Sequence, residues 1–338
     1  MLMLASLLGL AAVGGMVLMS SGTDDNLSGE ASGDDDFVPE HNTELLVELN
    51  SDAATGSETG DLTEYLLLPG TEEMDAIAGG TGNDQINGYD ANDTLSGQDG
   101  NDTIFGAEGD DLIDGDAGDD LLHGEDGDDM LDGGDGDDSL FGHFGDDLLE
   151  GGAGQDNIHG GQDDDRLDGG ADNDALHGGH GNDTLAGGTG ADSLFGGFGS
   201  DVLFGVEGPN HAPLAAGDQD VDYLNGGDGQ DTIFAGAGDI VTTGEGEDAV
   251  FAGHWVADGD PVQIMDFEPG VDQLQVIWNT ESDTDPVIEI SKDPDQPGLT
   301  RVIVEGEQIA VLHSENEVLP SDVLLIRENV LAQQNWPN

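Results

Sequence analysis

Apolar and polar positions alternate along the middle of the chain with a strict nine-residue period. From Asp84 onward an aspartate recurs at every ninth position, and an isoleucine or leucine stands two residues after each one, from Ile86 to Leu203. A glycine stands five residues before each aspartate. In a three-residue strand the middle side chain points to one face and its neighbours point to the other. The pattern therefore predicts a stack of short strands whose aliphatic residues fill one interior.

Fourteen aspartates keep this phase without exception. They are Asp84, Asp93, Asp102, Asp111, Asp120, Asp129, Asp138, Asp147, Asp156, Asp165, Asp174, Asp183, Asp192 and Asp201. A disordered Gly/Asp tract would drift in phase, so the regular period argues against low complexity alone. After Gly205 the segment VEGPNHAPLAAG interrupts the period, and its two prolines suit a loop. The repeats resume at Asp222 and Asp231, weaken near Asp239 and end near Asp248.

The glycines predict a tight turn in every repeat, because they adopt positive φ at little cost. Nine other residues stand where the second or third glycine is expected, and we expect weaker sites at their turns. These are Tyr89, Ala91, Gln98, Ala107, Asp116, Glu125, His143, Asp163 and Asp172. The residue before the aspartate is often Asn or Asp, types that tolerate left-handed geometry, and we expect that geometry at these positions. Examples are Asn83, Asn92, Asn101, Asp110 and Asp119.

This pattern resembles the hemolysin-type, or RTX, calcium-binding repeat GGxGxDxUx. In that family GGxGxD forms a turn and xUx a strand, and two repeats make one 18-residue rung of a parallel β-roll. Each ion lies between a turn and the equivalent turn one rung away. The resemblance implies an all-β fold and multiple Ca²⁺ ions held by the fourteen aspartates together with Asp222 and Asp231. Two columns of seven turns would leave gaps for about twelve ions.

Physical chemistry gives the same preference for calcium. Rungs about 4.8 Å apart would place like-charged aspartates in columns. Neighbouring carboxylates would then repel each other by roughly 1 kcal/mol even in water. Calcium accepts six to eight oxygen ligands in flexible geometry, whereas magnesium demands a tighter octahedron and retains its waters. We therefore expect the roll to require calcium for folding.

An 18-residue rung also predicts two outward ladders of different character. One reads Asn87, Phe105, His123, Phe141, His159, His177 and Phe195; the other reads Ser96, Asp114, Asp132, Glu150, Asp168, Ala186 and Phe204. Stacking between neighbouring strands is the favoured interpretation of the first ladder. The alternative is a docking surface for a protein, a glycan or a second copy. A zinc site among the three histidines of this ladder is disfavoured by their spacing.

The predicted organisation joins this roll to quite different flanking segments. Residues 1–20 are a hydrophobic segment predicted to be helical; 21–70 are an acidic linker; 71–205 are the calcium-binding roll; 206–216 are an inserted loop; 217–253 are further repeats; 254–330 are a β-rich cap; and 331–338 are a tail. An uncleaved membrane anchor over residues 2–19 is favoured over a cleaved signal peptide, and a buried helix ranks third. The cap is similar to the carboxyl-terminal regions of RTX proteins, which implies type I secretion.

Charge and missing motifs narrow the function. Four basic residues face 76 acidic ones, giving a formal net charge of −72. Such a chain is repelled by nucleic acid, and without cysteine it has no disulfide or thiolate site. The sequence contains no HExxH, GxSxG or GxxxxGK[ST] motif. We predict a non-catalytic calcium-binding protein, secreted or on the cell surface, with a structural or interaction role. The alternative is a polysaccharide-acting enzyme or its accessory module, and a pore-forming toxin is least favoured.

Overall fold

Two parallel β-sheets wind around one aliphatic interior in the computed structural model of this chain. The structure describes residues 65–206, 220–253, 256, 260–278 and 286–327. The hydrophobic segment 1–20, nearly all of the linker, most of the inserted loop and the tail lie outside these residues. Within the described part of the chain, no helix has the length and apolar character needed to cross a bilayer.

The described residues form twenty-six strands, and a short 3₁₀ turn spans Pro320–Asp322. In chain order the strands are β1 (Leu67–Thr71), β2 (Ala76–Thr81), β3 (Gln85–Asp90), β4 (Thr94–Asp99), β5 (Thr103–Glu108), β6 (Leu112–Ala117), β7 (Leu121–Asp126), β8 (Met130–Asp135), β9 (Ser139–Phe144), β10 (Leu148–Ala153), β11 (Asn157–Gln162), β12 (Arg166–Ala171), β13 (Ala175–His180), β14 (Thr184–Thr189), β15 (Ser193–Phe198), β16 (Val202–Phe204), β17 (Tyr223–Gly229), β18 (Thr232–Phe234), β19 (Ile240–Gly246), β20 (Ala249–Gly253), β21 (Val262–Ile264), β22 (Gln273–Trp278), β23 (Ile288–Lys292), β24 (Leu299–Val304), β25 (Glu307–His313) and β26 (Val323–Arg327).

Successive strands alternate between the two sheets. The first sheet runs β1-β3-β5-β7-β9-β11-β13-β15-β17-β19-β21-β25-β24-β23, and the second runs β2-β4-β6-β8-β10-β12-β14-β16-β18-β20-β22-β26. Each strand of the repeats pairs in parallel with the strand one rung on, as Ile86 does with Ile104. The chain thus folds as the predicted all-β parallel β-roll, and it forms that roll from two-strand rungs.

The strands of the roll are longer than the three residues implied by the resemblance. β3, for example, spans Gln85–Asp90 and continues to pair after Gly88, where Tyr89 aligns with Ala107 of the next rung. This pairing satisfies backbone N–H and C=O groups that a longer turn would leave to solvent. The connection between successive strands therefore shortens to a few residues that contain the aspartate.

One column of aliphatic side chains fills the interior, as the nine-residue period predicted. The column from Ile86 to Leu203 is at most 1 % exposed at every repeat. Each of these side chains contributes about 1.5–3 kcal/mol through burial. The first strand begins at Leu67, within the segment assigned to the linker, and Leu68 packs on this column. β1 thus covers the outermost aliphatic layer at the start of the roll.

The interruption after Gly205 does not disturb the stack. Leu194 of β15 aligns with Leu224 of β17, a separation of thirty residues where the preceding rungs have eighteen. Leu203 and Ile233 keep the same register in the other sheet. The twelve extra residues between these strands therefore do not change which face the side chains of the flanking strands occupy.

Beyond β20 the chain continues both sheets before it closes them. β22 and β26 extend the second sheet in parallel, and β21 and β25 extend the first. β23, β24 and β25 then pair antiparallel at the end of the first sheet. The β-rich segment predicted as a cap is therefore partly further roll, and Phe267 is buried among its aliphatic residues.

Candidate metal-binding turns

The repeat aspartates lie in two columns, one at each edge where the chain passes between the sheets. The main-chain N–H of each aspartate donates to Oδ1 of the aspartate one rung on, so Asp129 donates to Asp147 at 2.8 Å and Asp147 to Asp165 at 3.0 Å. The corresponding distances from Asp84 to Asp201 lie between 2.6 and 3.0 Å. The structure therefore brings the predicted carboxylates into register at the rung spacing.

The second carboxylate oxygen of these columns is buried and accepts no hydrogen bond from any described residue. This holds for Oδ2 of Asp84, Asp93, Asp102, Asp111, Asp120, Asp129, Asp138, Asp147, Asp156, Asp165, Asp174, Asp183, Asp201, Asp231 and Asp248. A buried polar atom without a partner costs free energy comparable to a lost hydrogen bond, and more when it is charged. Such a repeated, inward-facing oxygen is the kind of donor that a hard cation requires.

Burial raises the pKa of many of these carboxylates. Desolvation raises the pKa of Asp120 to about 7, against the opposing hydrogen bond from the Asp102 amide, and the charge of Asp138 adds to the rise. Desolvation likewise raises the pKa of Asp165 to about 8, again opposed by an amide, with Asp147 and Asp183 adding repulsion. At neutral pH the buried carboxylates of the columns are therefore stable only when they are protonated or bound to cations.

Carbonyl oxygens reach the same point as the unpartnered carboxylate oxygens. A Cβ built on Gly115 would lie 2.6 Å from Oδ2 of Asp120 and 2.6 Å from the carbonyl oxygen of Gly133, one rung on. The equivalent position of Gly97 is flanked by Asp102 and by the carbonyl of Gly115. The first glycine of the repeat is thus required by close approach, and the donor set is carboxylate plus carbonyl oxygen. That set fits calcium.

The turn conformation explains the other glycines. The repeats contain nine described residues other than glycine with positive φ, and they are the nine named from the sequence as replacing the second or third glycine. Ala107, for example, has φ 95°. A residue with a Cβ in this region costs roughly 1–2 kcal/mol relative to glycine. Those turns therefore keep their geometry at a cost in stability.

The expectation for the residue before the aspartate was wrong. Asn92 and Asn101 are absent from the described residues with positive φ. Their side chains instead donate Nδ2–H to the rung above, Asn92 to Asp110 and Asn101 to Asp119, each at 3.2 Å. Asn and Asp are favoured here because they hydrogen-bond between turns, and this contact needs no left-handed backbone.

The columns extend beyond the sites predicted from the period. Asp75 donates its N–H to Asp93 at 2.7 Å, and Asp239 and Asp248 accept from the preceding rung at 3.0 and 2.9 Å. Asp272 continues the column that contains Asp231 and Asp248, where its Oδ1 accepts a 3.4 Å hydrogen bond from the Asp248 amide. Asp272 was not predicted from the sequence, although Leu274 follows it by two residues, as an aliphatic residue does in every repeat.

The aromatic ladder also forms as predicted. Its rings stack face to face from Phe105 to Phe195, with centroid distances of 4.8–5.0 Å. Most of these rings are half-buried by one another, and Phe195 is 38 % exposed. In the opposite ladder Asp114 pairs with Asp132 and Glu150 with Asp168. The two faces of the roll are therefore aromatic and acidic.

Comparison with known proteins agrees with this geometry. The family model described as RTX calcium-binding nonapeptide repeat (4 copies) matches residues 69–104, 105–140, 123–158, 141–176, 150–185, 177–211 and 216–250. Together these matches cover more than half of the chain. No curated protein matches the chain.

Proposed function

This chain belongs to the RTX calcium-binding nonapeptide repeat family, and on that premise we propose that it is a non-catalytic module that folds outside the cytosol on binding several calcium ions. The repeats make it a calcium-binding protein with a structural β-roll. The ions bind at the aspartate columns, from Asp84 to Asp201 and at Asp222 and Asp231. The carboxylate oxygens that stay buried without a partner carry this assignment.

Several ions, about twelve between the fourteen turns from Asp84 to Asp201 alone, follow from the repetition of the donor set. Oδ2 of the aspartate and the glycine carbonyl of the next rung approach the same point in turn after turn, as at Gly115 and Gly133. Each ion also stabilises the folded rungs that form the neighbouring sites, so binding at one site favours binding at the next. The roll is therefore expected to fill cooperatively over a narrow range of calcium concentration.

An extracellular or cell-surface location suits these sites. Extracellular calcium modules bind at about 10⁻⁴–10⁻³ M, far above the range of cytosolic sensors. The net charge of −72 keeps the chain expanded until cations bind. We propose that the chain leaves the cell with its roll unfolded, by type I secretion directed by its carboxyl-terminal region, and condenses outside.

Two measurements test the proposal. Far-UV circular dichroism of the full chain should change from a disordered to a β spectrum on adding calcium and revert with chelator, with magnesium a weak substitute. An unchanged spectrum would refute calcium-dependent folding. Fractionation of producing cells should place the intact chain in the medium or at the surface. Recovery only from the cytosol would refute the location and leave the calcium result standing.

A second candidate, an accessory module or enzyme for polysaccharides, is favoured by the stacked aromatic ladder. Replacing Phe105, Phe141 and Phe195 with Ser should abolish retention on immobilised uronate polymers and leave calcium-dependent folding intact. The matched control replaces Phe144 and Phe198, which are 49 % and 54 % exposed and lie outside the ladder. Equal retention of all three proteins would refute the candidate. Loss of folding in the ladder variant would assign the rings to stability alone.

A further inference from the structure

A second kind of metal-ligating cluster lies on the aromatic face, away from the aspartate columns. Among the described residues, one group of three metal-ligating side chains converges so that its ligand atoms all lie within 4.8 Å of one another: His123, Glu125 and His143. His123 Nδ1 lies 2.9 Å from His143 Nε2, and His143 Nε2 lies 3.9 Å from Glu125 Oε1. These side chains are half-buried.

The repeat geometry explains why the three groups meet. His123 occupies the aromatic ladder on β7, and Glu125 and His143 pair with each other across β7 and β9. Glu125 and His143 both stand at the second glycine position, each with φ 84°. The positive φ turns each side chain toward the neighbouring ladder residue. Two departures from the glycine pattern on adjacent rungs thus place a carboxylate and an imidazole beside a ladder histidine.

The rest of the ladder lacks this combination. His159 and His177 are also ladder histidines, and their rings stack at 4.8 Å. Two residues after them stand Gly161 and Gly179, which offer no ligand atom. Stacking of histidines is therefore a general feature of this face. Of the three ladder histidines His123, His159 and His177, only His123 therefore has both a carboxylate and a second imidazole beside it.

The distances fit a tetrahedral transition metal. Zinc–nitrogen bonds of about 2.0–2.1 Å place neighbouring ligand atoms of a tetrahedron roughly 3.3 Å apart. Two of the three separations, 2.9 and 3.9 Å, lie on either side of that value, and all three ligand atoms lie within 4.8 Å of one another, so side-chain rotations that draw the carboxylate inward would complete the site. Two imidazole nitrogens and one carboxylate oxygen are ligands typical of zinc, whereas calcium takes oxygen alone.

Neighbouring aromatic rings fix the orientation of the His123 side chain. The His123 ring is stacked between Phe105 and Phe141, with centroids 4.8 and 4.9 Å away and planes within 12°. This restricts the ring to the plane that directs Nδ1 at His143. The acidic surface raises the local concentration of divalent cations.

We propose that His123, Glu125 and His143 bind one divalent transition-metal ion of the zinc type, with water completing the coordination, on the aromatic face of the calcium-folded roll. The calcium ions and this metal occupy different donor sets. Calcium folds the rungs that bring the three ligands together, so transition-metal binding depends on calcium. The metal in turn ties two adjacent rungs across the aromatic face.

The experiment uses the untagged full chain with calcium in excess, titrated with Co²⁺ and then displaced with Zn²⁺. The wild type should develop visible d–d absorption of a low-symmetry N/O site that saturates at one equivalent and disappears when Zn²⁺ is added. His143→Gly should lose this band and weaken Zn²⁺ binding by about tenfold or more, since loss of even an outer-shell partner costs a metal site that much. Glu125→Gly should weaken binding in the same direction.

The variants are chosen so that unfolding cannot imitate the result. Glycine is the residue that most repeats carry at the positions of Glu125 and His143. Both substitutions therefore relieve the strain of a positive φ and preserve the roll. The matched control is the double substitution His159→Phe with His177→Phe, which removes two histidines and retains the stacked ladder. All proteins should give the same calcium-dependent circular dichroism. The proposal is overturned if the wild type shows no saturable Co²⁺ band, or if the control loses the band as fully as His143→Gly.

Discussion

Each aspartate of the columns is both a ligand for calcium and a negative charge that repels its neighbours. Replacing Asp147 with Asn separates these two roles. Asp147 lies in the middle of its column, accepts a 2.8 Å hydrogen bond from the Asp129 amide, and donates its own amide to Asp165. Its Oδ2 has no hydrogen-bond partner among the described residues. Asparagine keeps the shape and the Oδ1 acceptor. It removes the charge and turns one oxygen into a donor.

The two roles predict that the substitution destabilises the calcium-bound roll and stabilises the metal-free roll. With calcium bound, the substitution removes a charged ligand shared by the gaps toward Asp129 and Asp165, and breaking one such buried ionic contact costs about 3 kcal/mol. Without metal, burial raises the pKa of Asp147 to about 7. At pH above that value its ionised form destabilises the metal-free roll by on the order of 3 kcal/mol, at roughly 1.4 kcal/mol per pKa unit and allowing for solvent screening. Asparagine removes that penalty.

Thermal melting at fixed excess calcium measures the first effect. A loss of about 3 kcal/mol should lower Tm by roughly 6–12 °C, at about 2–4 °C per kcal/mol for a folded unit of this size. Acidification of the chelated protein measures the second, and Asp147→Asn should fold at a higher pH than the wild type. The matched control is Asp135→Asn, which makes the same charge change at an exposed position and should move neither value appreciably.

The result that refutes the reasoning is a rise in Tm with calcium. If the carboxylate acted only through repulsion, its removal would stabilise the calcium-bound roll as well as the metal-free one. An equal loss in the Asp135 control would show that net charge, and not ligation in the column, sets the calcium dependence.

Three further predictions follow from the same structure. Leu149→Ala should destabilise the calcium-bound roll by about 2–5 kcal/mol in urea unfolding, because it empties a fully buried site, whereas half-buried Leu148→Ala should cost far less. Ala107→Gly should stabilise the roll by about 1 kcal/mol by relieving a positive φ; no gain would argue against strain in that turn. The raised pKa values of Asp120 and Asp165 mean that the folded columns retain protons that the unfolded chain loses above 3.8. The metal-free roll is therefore most stable below about pH 4 and loses stability progressively as the pH rises from about 4 to about 8, so circular dichroism in chelator should show folding on acidification.

The repetitive part of the fold could be predicted because each repeat obeys the same local constraint. The nine-residue period identified the aliphatic column from Ile86 to Leu203, and the 18-residue rung correctly aligned Phe105 with His123. Both follow from side chains alternating across a strand, which needs no knowledge of distant contacts. The nine strained turns were visible for the same reason, since a residue at a glycine position must adopt the glycine conformation.

The remaining features depend on contacts between rungs that the period does not encode. Asn92 hydrogen-bonds to Asp110, which removed the need for the left-handed backbone that its residue type suggested. Asp272 joins its column after the glycine rhythm has ended, so only the aspartate and aliphatic pair marked it. The contact of His123 with His143 joins residues twenty apart, one rung plus two positions, because positive φ redirects a side chain. Such a displacement is invisible to a comparison of positions eighteen apart.

Calcium removal at alkaline pH tests the central claim most directly. After exhaustive dialysis against chelator at about pH 8.5, above the raised pKa values of the columns, protonation cannot replace the metal. Under these conditions the full chain should be expanded in small-angle scattering, lack a β spectrum, and regain both on adding calcium. A compact chain with cooperative unfolding in chelator at that pH would contradict the account, because the buried aspartates would then coexist as charged groups without a bridging cation.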